Sequence, residues 1–416
     1  LYYTNDYGKT FTSLVPESGI NGYSMSVIQD PVQPNLLFFG TEMGLYFSLD
    51  KGKSWQQWNK DFPTVQTADL AIQKREGDLI VGTFGRAAWV LDDIRPLRAL
   101  AADKAKVLGK PLTVFEVPDA VLVSWREADG TRFAADAMYA GDNRTTQARI
   151  SFWLNKNEKD TAAKKLTKVK VEVFDANNTV IYTFYEKFND GLNRIGWNLT
   201  EKGPKWPSMS EPSKDKEKDD PSGQSVLPGV YKVRVSYGAE KDSAMVNVLP
   251  DPRLNISMED LAENQAFKRE VAKNGEAISK VADGLRNAKK EIGLIEAQLA
   301  EKERDEWKEA KEKVKMVKDS LEAVRFAIWG KEDVKGYYEQ PETWMTQAGN
   351  ASYLLSSNLG AIGQNEKHMA EQFRKKTEET VALANKFFSK DWPSFTSYFE
   401  QNPISLFEAI PVIELD

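Results

Sequence analysis

"SLDKGKSW" (48–55) decides how this chain is read, because "TNDYGKTF" (4–11) repeats its pattern 44 positions earlier. The shared form is Ser/Thr-x-Asp-x-Gly-x-Thr/Ser-aromatic. The match continues upstream, with "LYY" (1–3) before one copy and "LYF" (45–47) before the other. A self-match at such a spacing marks a repeat architecture, in which each repeat is one supersecondary unit.

Each copy reads physically as a hairpin turn. Apolar and aromatic residues run into Thr4 or Ser48, as at the end of a strand. Asp6 and Asp50 then stand two positions before Gly8 and Gly52. Their carboxylates accept hydrogen bonds from nearby backbone N–H groups, and the glycines take positive φ without steric cost. Thr10-Phe11 and Ser54-Trp55 open the returning strand, where the ring packs against a neighbouring sheet. The other use of an acidic turn is a metal or catalytic site. Here the turn consumes the Asp, and the ten residues Thr4, Asp6, Gly8, Thr10, Phe11, Ser48, Asp50, Gly52, Ser54 and Trp55 are structural.

A third copy of the surrounding unit lacks the turn motif. "NLLFFGTEMGLYFSLD" (35–50) aligns with "DLIVGTFGRAAWVLDD" (78–93) once two positions are dropped, which sets Gly40-Thr41 on Gly82-Thr83. "VIQDPVQPN" and "AIQKREGD" hold the same place upstream. Short strands repeating every 40–45 residues are the mark of a propeller blade.

This pattern is similar to the Asp-box (BNR) repeats of sialidases, family 74 glycoside hydrolases and sortilin-type propellers. It also resembles exported Bacteroidetes proteins described as sortilin-like or BNR-repeat glycosyl hydrolases. In these a last blade ends in a "GTHGRGIWILDD"-like stretch, here "GTFGRAAWVLDDI" (82–94). Two positions depart from that pattern: Phe84 stands for His and Ala87 for Gly. The resemblance implies the last blades of a β-propeller over 1–94, then a β-sandwich and a helical tail. A closed propeller has at least four blades and 1–94 holds about two. The expectation is therefore the C-terminal part of a longer, exported protein, at the cell surface or in the periplasm, completed by a missing N-terminal propeller portion.

Composition narrows the partners. The chain has 416 residues, 56 basic and 62 acidic side chains and a net charge of −6, so no strongly basic face points to nucleic acid. No apolar run reaches the 18 residues of a membrane span. With no Cys, disulfides, thiol catalysis and Cys-ligated zinc are excluded, while the compartment is left open.

Residues 95–147 read as a connector with short strands. From Ala148 to Pro250 the segments "ARISFWLN", "KVKVEVFDANNTVIYTFY", "LNRIGWNL", "GVYKVRVSYG" and "SAMVNVL" alternate apolar and polar residues between turn signals. That spacing predicts an antiparallel sandwich. "DGLNRIGWNL" with "LPGVYKVRV" resembles the FlgD-like, immunoglobulin-like modules of secreted bacterial proteins. Trp197 and Tyr231 are then core anchors, with carbohydrate binding by Trp197 as the alternative. The Pro-, Ser-, Lys- and Asp-rich stretch 205–225 reads as a mobile insertion.

The remainder is helical. Ser257 and Asp260 form a capping box. Ile278, Val281, Leu285, Ala288, Ile292, Ile295 and Leu299 make one heptad seam, and Trp307 to Ile328 a second, joined by the short break "AEKER" as an antiparallel hairpin. Two further helices, from near Pro341 and over 365–389, complete a bundle within 251–400. The sole His, His368, reads as a surface residue. Residues 401–416 form an apolar tail.

Catalytic routes close early. One His and no Cys leave no His-dependent triad, and no P-loop, dinucleotide fingerprint or HExxH occurs. The sialidase resemblance would need three arginines, a Tyr–Glu pair and an Asp, but residues 1–94 supply only Arg75 and Arg86. No catalytic residue, metal ligand or cofactor is assigned. The reading is a non-catalytic segment that binds a protein partner or scaffolds at the cell envelope. The alternative is the accessory region of a glycoside hydrolase, sialidase-like or family 74-like, whose active site lies in blades outside this chain.

Overall fold

The structure is a computed structural model that describes residues 1–16, 19–124, 144–156, 166–213, 215, 217–300, 307–331, 336 and 342–403. Most of the loop-like 126–147, the "AEKER" break, Pro341 and the tail from 404 lie outside these residues. The chain forms two compact units. One comprises 1–200, 217–220 and 228–252; the other comprises 201–216, 221–227 and 253 onward, in their described parts.

The first unit is built mostly of antiparallel sheets. Strands β1 (Tyr2–Tyr3) and β2 (Thr12–Ser13) pair across the first turn motif. Strands β3 (Ser24–Gln29), β4 (Leu37–Thr41), β5 (Gly44–Ser48) and β6 (Gln56–Trp58) form a meander in chain order, and the second motif joins β5 to β6. Strands β7 (Thr67–Gln73), β8 (Asp78–Thr83) and β9 (Ala88–Leu91) form the next. The repeat is kept in register. Val27 lies opposite Phe39 as Leu70 lies opposite Val81, and β3 and β7 bulge at matching places, between Ser24 and Ser26 and between Thr67 and Asp69.

The two meanders share one core, with Leu36, Phe38 and Leu45 from the first and Leu70, Leu79 and Val81 from the second. Full burial of each such side chain stabilises by roughly 1.5–3 kcal/mol. Gly40 permits the close approach, since a Cβ there would lie 2.6 Å from the Thr67 carbonyl oxygen. Ser26 Oγ donates to that same oxygen at 3.2 Å.

Helices α1 (Arg95–Ala102) and α2 (Lys104–Leu108) add Leu97, Leu100, Ala101 and Val107 to this core. Pro96 sits in the first turn of α1, where its missing N–H costs nothing. Asp103 caps α2 by accepting from Lys106 N at 2.9 Å. The connector thus supplies two helices as well as the short strands expected, β10 (Leu112–Val114) and β11 (Ala120–Leu122).

Two more sheets follow, from β12 (Ala148–Leu154), β13 (Lys168–Phe174), β14 (Val180–Lys187), β15 (Gly191–Trp197), β18 (Gly229–Tyr237) and β19 (Glu240–Pro250). Their orders are β10-β12-β15 and β11-β19-β18-β13-β14, and among the described residues only the β11–β19 pair is parallel. Ile150, Phe152, Val169, Val171, Val233, Val235, Val246 and Val248 are buried, on the apolar phase of the alternation. Trp197 is 1% exposed, donates to the Thr200 carbonyl at 2.9 Å and meets the Tyr231 ring edge-on. Its face is closed to a sugar, which removes the carbohydrate alternative.

Between them, β16 (Thr200–Lys202) and β17 (Ser222–Ser225) pair, and most of 205–225 groups with the helices rather than with the sandwich that the sequence assigned it to. The reason is chemical. Trp206 packs against Trp344, Met209 against the helical core, and Lys205 Nζ lies 2.7 Å from Asp283.

The second unit holds α3 (Met258–Ala300), α4 (Lys308–Trp329), α5 (Trp344–Ser357), α6 (Gln364–Lys386) and α7 (Trp392–Gln401). Ser257 accepts from Asp260 N at 3.0 Å at the start of α3. Both heptad series are largely buried, and Lys318 of α4 pairs with Glu296 of α3 at 2.6 Å. Gly284 leaves room for Phe388, whose ring would lie 2.6 Å from a Cβ. The last helix outruns its expected end: a wider π turn at Phe387–Asp391 links α6 to α7 at Trp392-Pro393. Leu383 is 36% exposed, while its neighbour Ala384 is buried. The fold is therefore mostly antiparallel β-sheet followed by a C-terminal helical region. No described helix is long and apolar enough to cross a membrane.

Candidate functional site

The two turn motifs have one geometry. Tyr7 and Gly8 take φ of 60° and 85°, and Lys51 and Gly52 take 61° and 83°. Thr4 Oγ1 donates to Asp6 Oδ1 at 2.8 Å and accepts from Gly8 N at 2.9 Å. Asp6 Oδ1 also accepts from Lys9 N and Thr10 N, both at 2.9 Å, and Oδ2 accepts from Thr10 Oγ1 at 2.7 Å. In the second copy Ser48 Oγ donates to Asp50 Oδ1 and accepts from Gly52 N, each at 2.8 Å. Asp50 then accepts from Ser54 N at 2.8 Å and from Ser54 Oγ at 2.6 Å.

These bonds favour the charged carboxylate. The Thr10 amide and hydroxyl, with Thr4 and the Lys9 amide, hold Asp6 at about 2, against an ordinary 3.8. Burial pushes Asp50 upward, but the Ser54 hydroxyl and amide, with Ser48 and the Lys53 amide, outweigh it and leave Asp50 below the usual range. A base or metal ligand needs free lone pairs, and both oxygens of each Asp are engaged.

The aromatic positions differ. Trp55 meets Phe39 at 5.4 Å between ring centroids and donates to the Leu14 carbonyl at 2.7 Å. Phe11 is 64% exposed. Gly52 lies against Leu14, at 3.0 Å from a would-be Cβ, and Lys51 Nζ stands over the Tyr3 ring. The second turn therefore clasps the first hairpin.

Beside Asp50 and Ser54 lies a cleft of about 120 Å³, with Phe47, Leu49, Leu100 and Lys104 among its walls. Ligand pockets usually run from about 300 Å³ upward, so this one is too small for a sugar ring with its neighbours. Among the described residues no group of three or more His, Asp and Glu is placed to hold a metal ion.

Asp92 and Asp93 are joint residues. Asp93 is buried, takes the Arg95 guanidinium at 2.7 Å, and its N–H donates to Asp78 Oδ1 at 2.8 Å. Asp92 Oδ2 lies 3.1 Å from Arg149, and the carbonyls of both accept from Arg194. Arg144 reaches Asp78 Oδ2 at 2.7 Å. Burial lowers the Arg149 pKa, Arg144 and Arg194 lower it further, and Asp92 and Asp78 oppose them. These arginines lie beyond residue 94, so a search of the repeats by sequence alone misses the cluster. His368 is exposed.

No family model matches the chain, and no curated protein matches it. Among solved structures, one similar chain is a "Biofilm associated protein - BSP domain", at 9% identity and a TM-score of 0.17, over 56% of this chain and 26% of that one. The chain thus spans about a quarter of that structure's length, and a likeness this weak carries no argument.

Proposed function

We propose that this chain is a non-catalytic, protein-binding or scaffolding segment of an exported sortilin-like propeller protein at the cell envelope. The two meanders and the β1–β2 hairpin are successive blades, and the two sheets after them an immunoglobulin-like sandwich. The observation that carries the reading is the pair of superposable turns whose carboxylates are spent on their own backbone. Such turns hold blades together, and their own bonds engage Asp6 and Asp50. The contact surface is placed on the helical region, where Leu294 and Met316 are 61% and 66% exposed. Exposed apolar side chains on two otherwise charged helices support a protein partner there.

A photo-crosslinking residue at position 316, introduced into the protein in its native cells, tests this. The expected result is one discrete protein adduct, absent when the crosslinker stands at Lys315. Turnover of chromogenic glycosides by the whole protein isolated from those cells, with no adduct, would favour the glycoside hydrolase reading.

A further inference from the structure

We propose that the outward face of the sheet β11-β19-β18-β13-β14 binds a linear uronic-acid polysaccharide through its carboxylates. This goes beyond the protein contact assigned to the helices and belongs to the other unit.

Strand register brings the charges together. Val169, Val171, Val233, Val235, Val246 and Val248 are buried, so the alternate positions of these strands face outward. There Lys168 lies opposite Lys187, and Ser236 lies between Lys170 and Lys241. Arg234 lies between Glu172 and Ser243, and Lys232 between Phe174 and Met245. Six cations of these strands thus share a face with one carboxylate, Glu172. The chain as a whole carries −6, so the sign is reversed locally.

That one carboxylate is already engaged. Glu172 is 8% exposed and meets Lys170 at 2.8 Å and Arg234 at 2.7 Å. Asp219 and Asp220, along the edge of β14, accept from the amides of Tyr185 and Thr183. Lys187 and Lys241 are exposed and meet no carboxylate among the described residues. Like charges set directly opposite, as at Lys168 and Lys187, destabilise a sheet. An anionic chain laid over them reverses that effect.

The shape of the face selects the polymer. Outward side chains stand about 6.8 Å apart along a strand and about 4.8 Å apart between strands. Lys232, Arg234, Lys170, Lys168 and Lys187 then make a diagonal band roughly 20 Å long. A twisted sheet touches a flat bilayer along only part of such a band, whereas a flexible chain follows it. Single-stranded nucleic acid binds where rings stack on its bases. Here the central ring, Phe174, is 4% exposed, with Lys232 and Arg234 at 4.4 and 4.5 Å from its centroid. Tyr185 is half-buried. A polyuronate asks for spaced cations and hydroxyl partners, and Thr183 and Ser243 stand in the same row as Arg234.

Binding of the full chain to fluorescein-labelled polygalacturonate is followed by anisotropy at low salt. Dextran, oligothymidylate and phosphatidylglycerol vesicles serve as competitors. Saturable binding is expected, weakened steeply by salt and untouched by dextran. Lys187→Glu with Lys241→Glu, at two exposed positions, weakens it about tenfold or more at an unaltered melting temperature. The neutral pair Lys187→Gln with Lys241→Gln gives a smaller loss. Lys311→Glu with Lys315→Glu changes the net charge equally on α4 and leaves binding unchanged. Absence of saturable binding, or equal loss from the two charge-reversed pairs, overturns the proposal. Tighter binding of oligothymidylate or of the vesicles, lost in the Lys187 and Lys241 variant, overturns it too, by giving the face to nucleic acid or to a membrane.

Discussion

Arg98 and Asp30, 68 residues apart in the chain, meet in a forked ion pair, with Arg98 Nε and Nη2 at 3.0 and 2.8 Å from Asp30 Oδ2. The Asp30 side chain is fully buried and also accepts from the amides of Val32 and Gln33. The pair pins α1 to the turn between β3 and β4, and so locks the end of the repeats to the first meander. Removing one partner leaves a buried charge unpaired, which costs about 3–5 kcal/mol. Arg98→Ala is expected to lose about that much in urea unfolding of the first unit. Asp30→Asn with Arg98→Met should recover most of it.

Ala87 takes φ of 58°. Its carbonyl accepts from Thr83 N at 3.2 Å and Thr83 Oγ1 at 2.5 Å, which holds the tight β8–β9 connection in that conformation. A Cβ in the left-handed region costs about 1–2 kcal/mol, partly offset by the larger unfolded-state entropy of glycine. Ala87→Gly is therefore expected to stabilise by roughly 0.5–1 kcal/mol, read as a higher urea midpoint at unchanged slope.

Gly284 lies in mid-helix, where alanine would gain up to about 1 kcal/mol in propensity. The Phe388 ring would meet that Cβ at 2.6 Å, well inside contact distance. Overpacking of this kind costs about 1–3 kcal/mol. Gly284→Ala is expected to destabilise the helical unit on balance, and Phe388→Leu in the same chain should relieve it. Thermal unfolding followed at 222 nm distinguishes the three proteins.

How much of this was legible in the sequence follows from the range of the forces involved. The turns at Asp6 and Asp50 were readable because every partner lies within four residues, as it was for the capping pair Ser257 and Asp260. The heptad seam of α4 was readable because its period is local. In α6 the larger apolar residue is a poor guide: Leu383 is exposed, and Ala384, one position on, takes the buried place beside Phe387. The Arg98–Asp30 fork and the arginines at Asp78 and Asp92 join residues 57 or more positions apart, and no local pattern announces them. Polarity put 205–225 in a solvated insertion, yet Trp206, one aromatic in a charged stretch, finds Trp344 and carries its neighbours to the helical unit. Local chemistry was visible; long-range pairing was not.

The central claim is that the repeated aspartates are spent within their own turns. Hydrogen bonds to the charged form lower their pKa, so their stabilisation is present above the ordinary value of 3.8 and is lost as pH falls through the folded value. The direct measurement is a carboxyl ¹³C NMR titration of Asp6 and Asp50 in the intact chain. The account predicts that both titrate below 3.8, Asp6 at about 2, and that Thr10→Val and Ser54→Ala raise their respective partners. Either aspartate titrating at or above 3.8, with no response to loss of its hydroxyl partner, would mean a carboxylate free for other chemistry and would contradict the account.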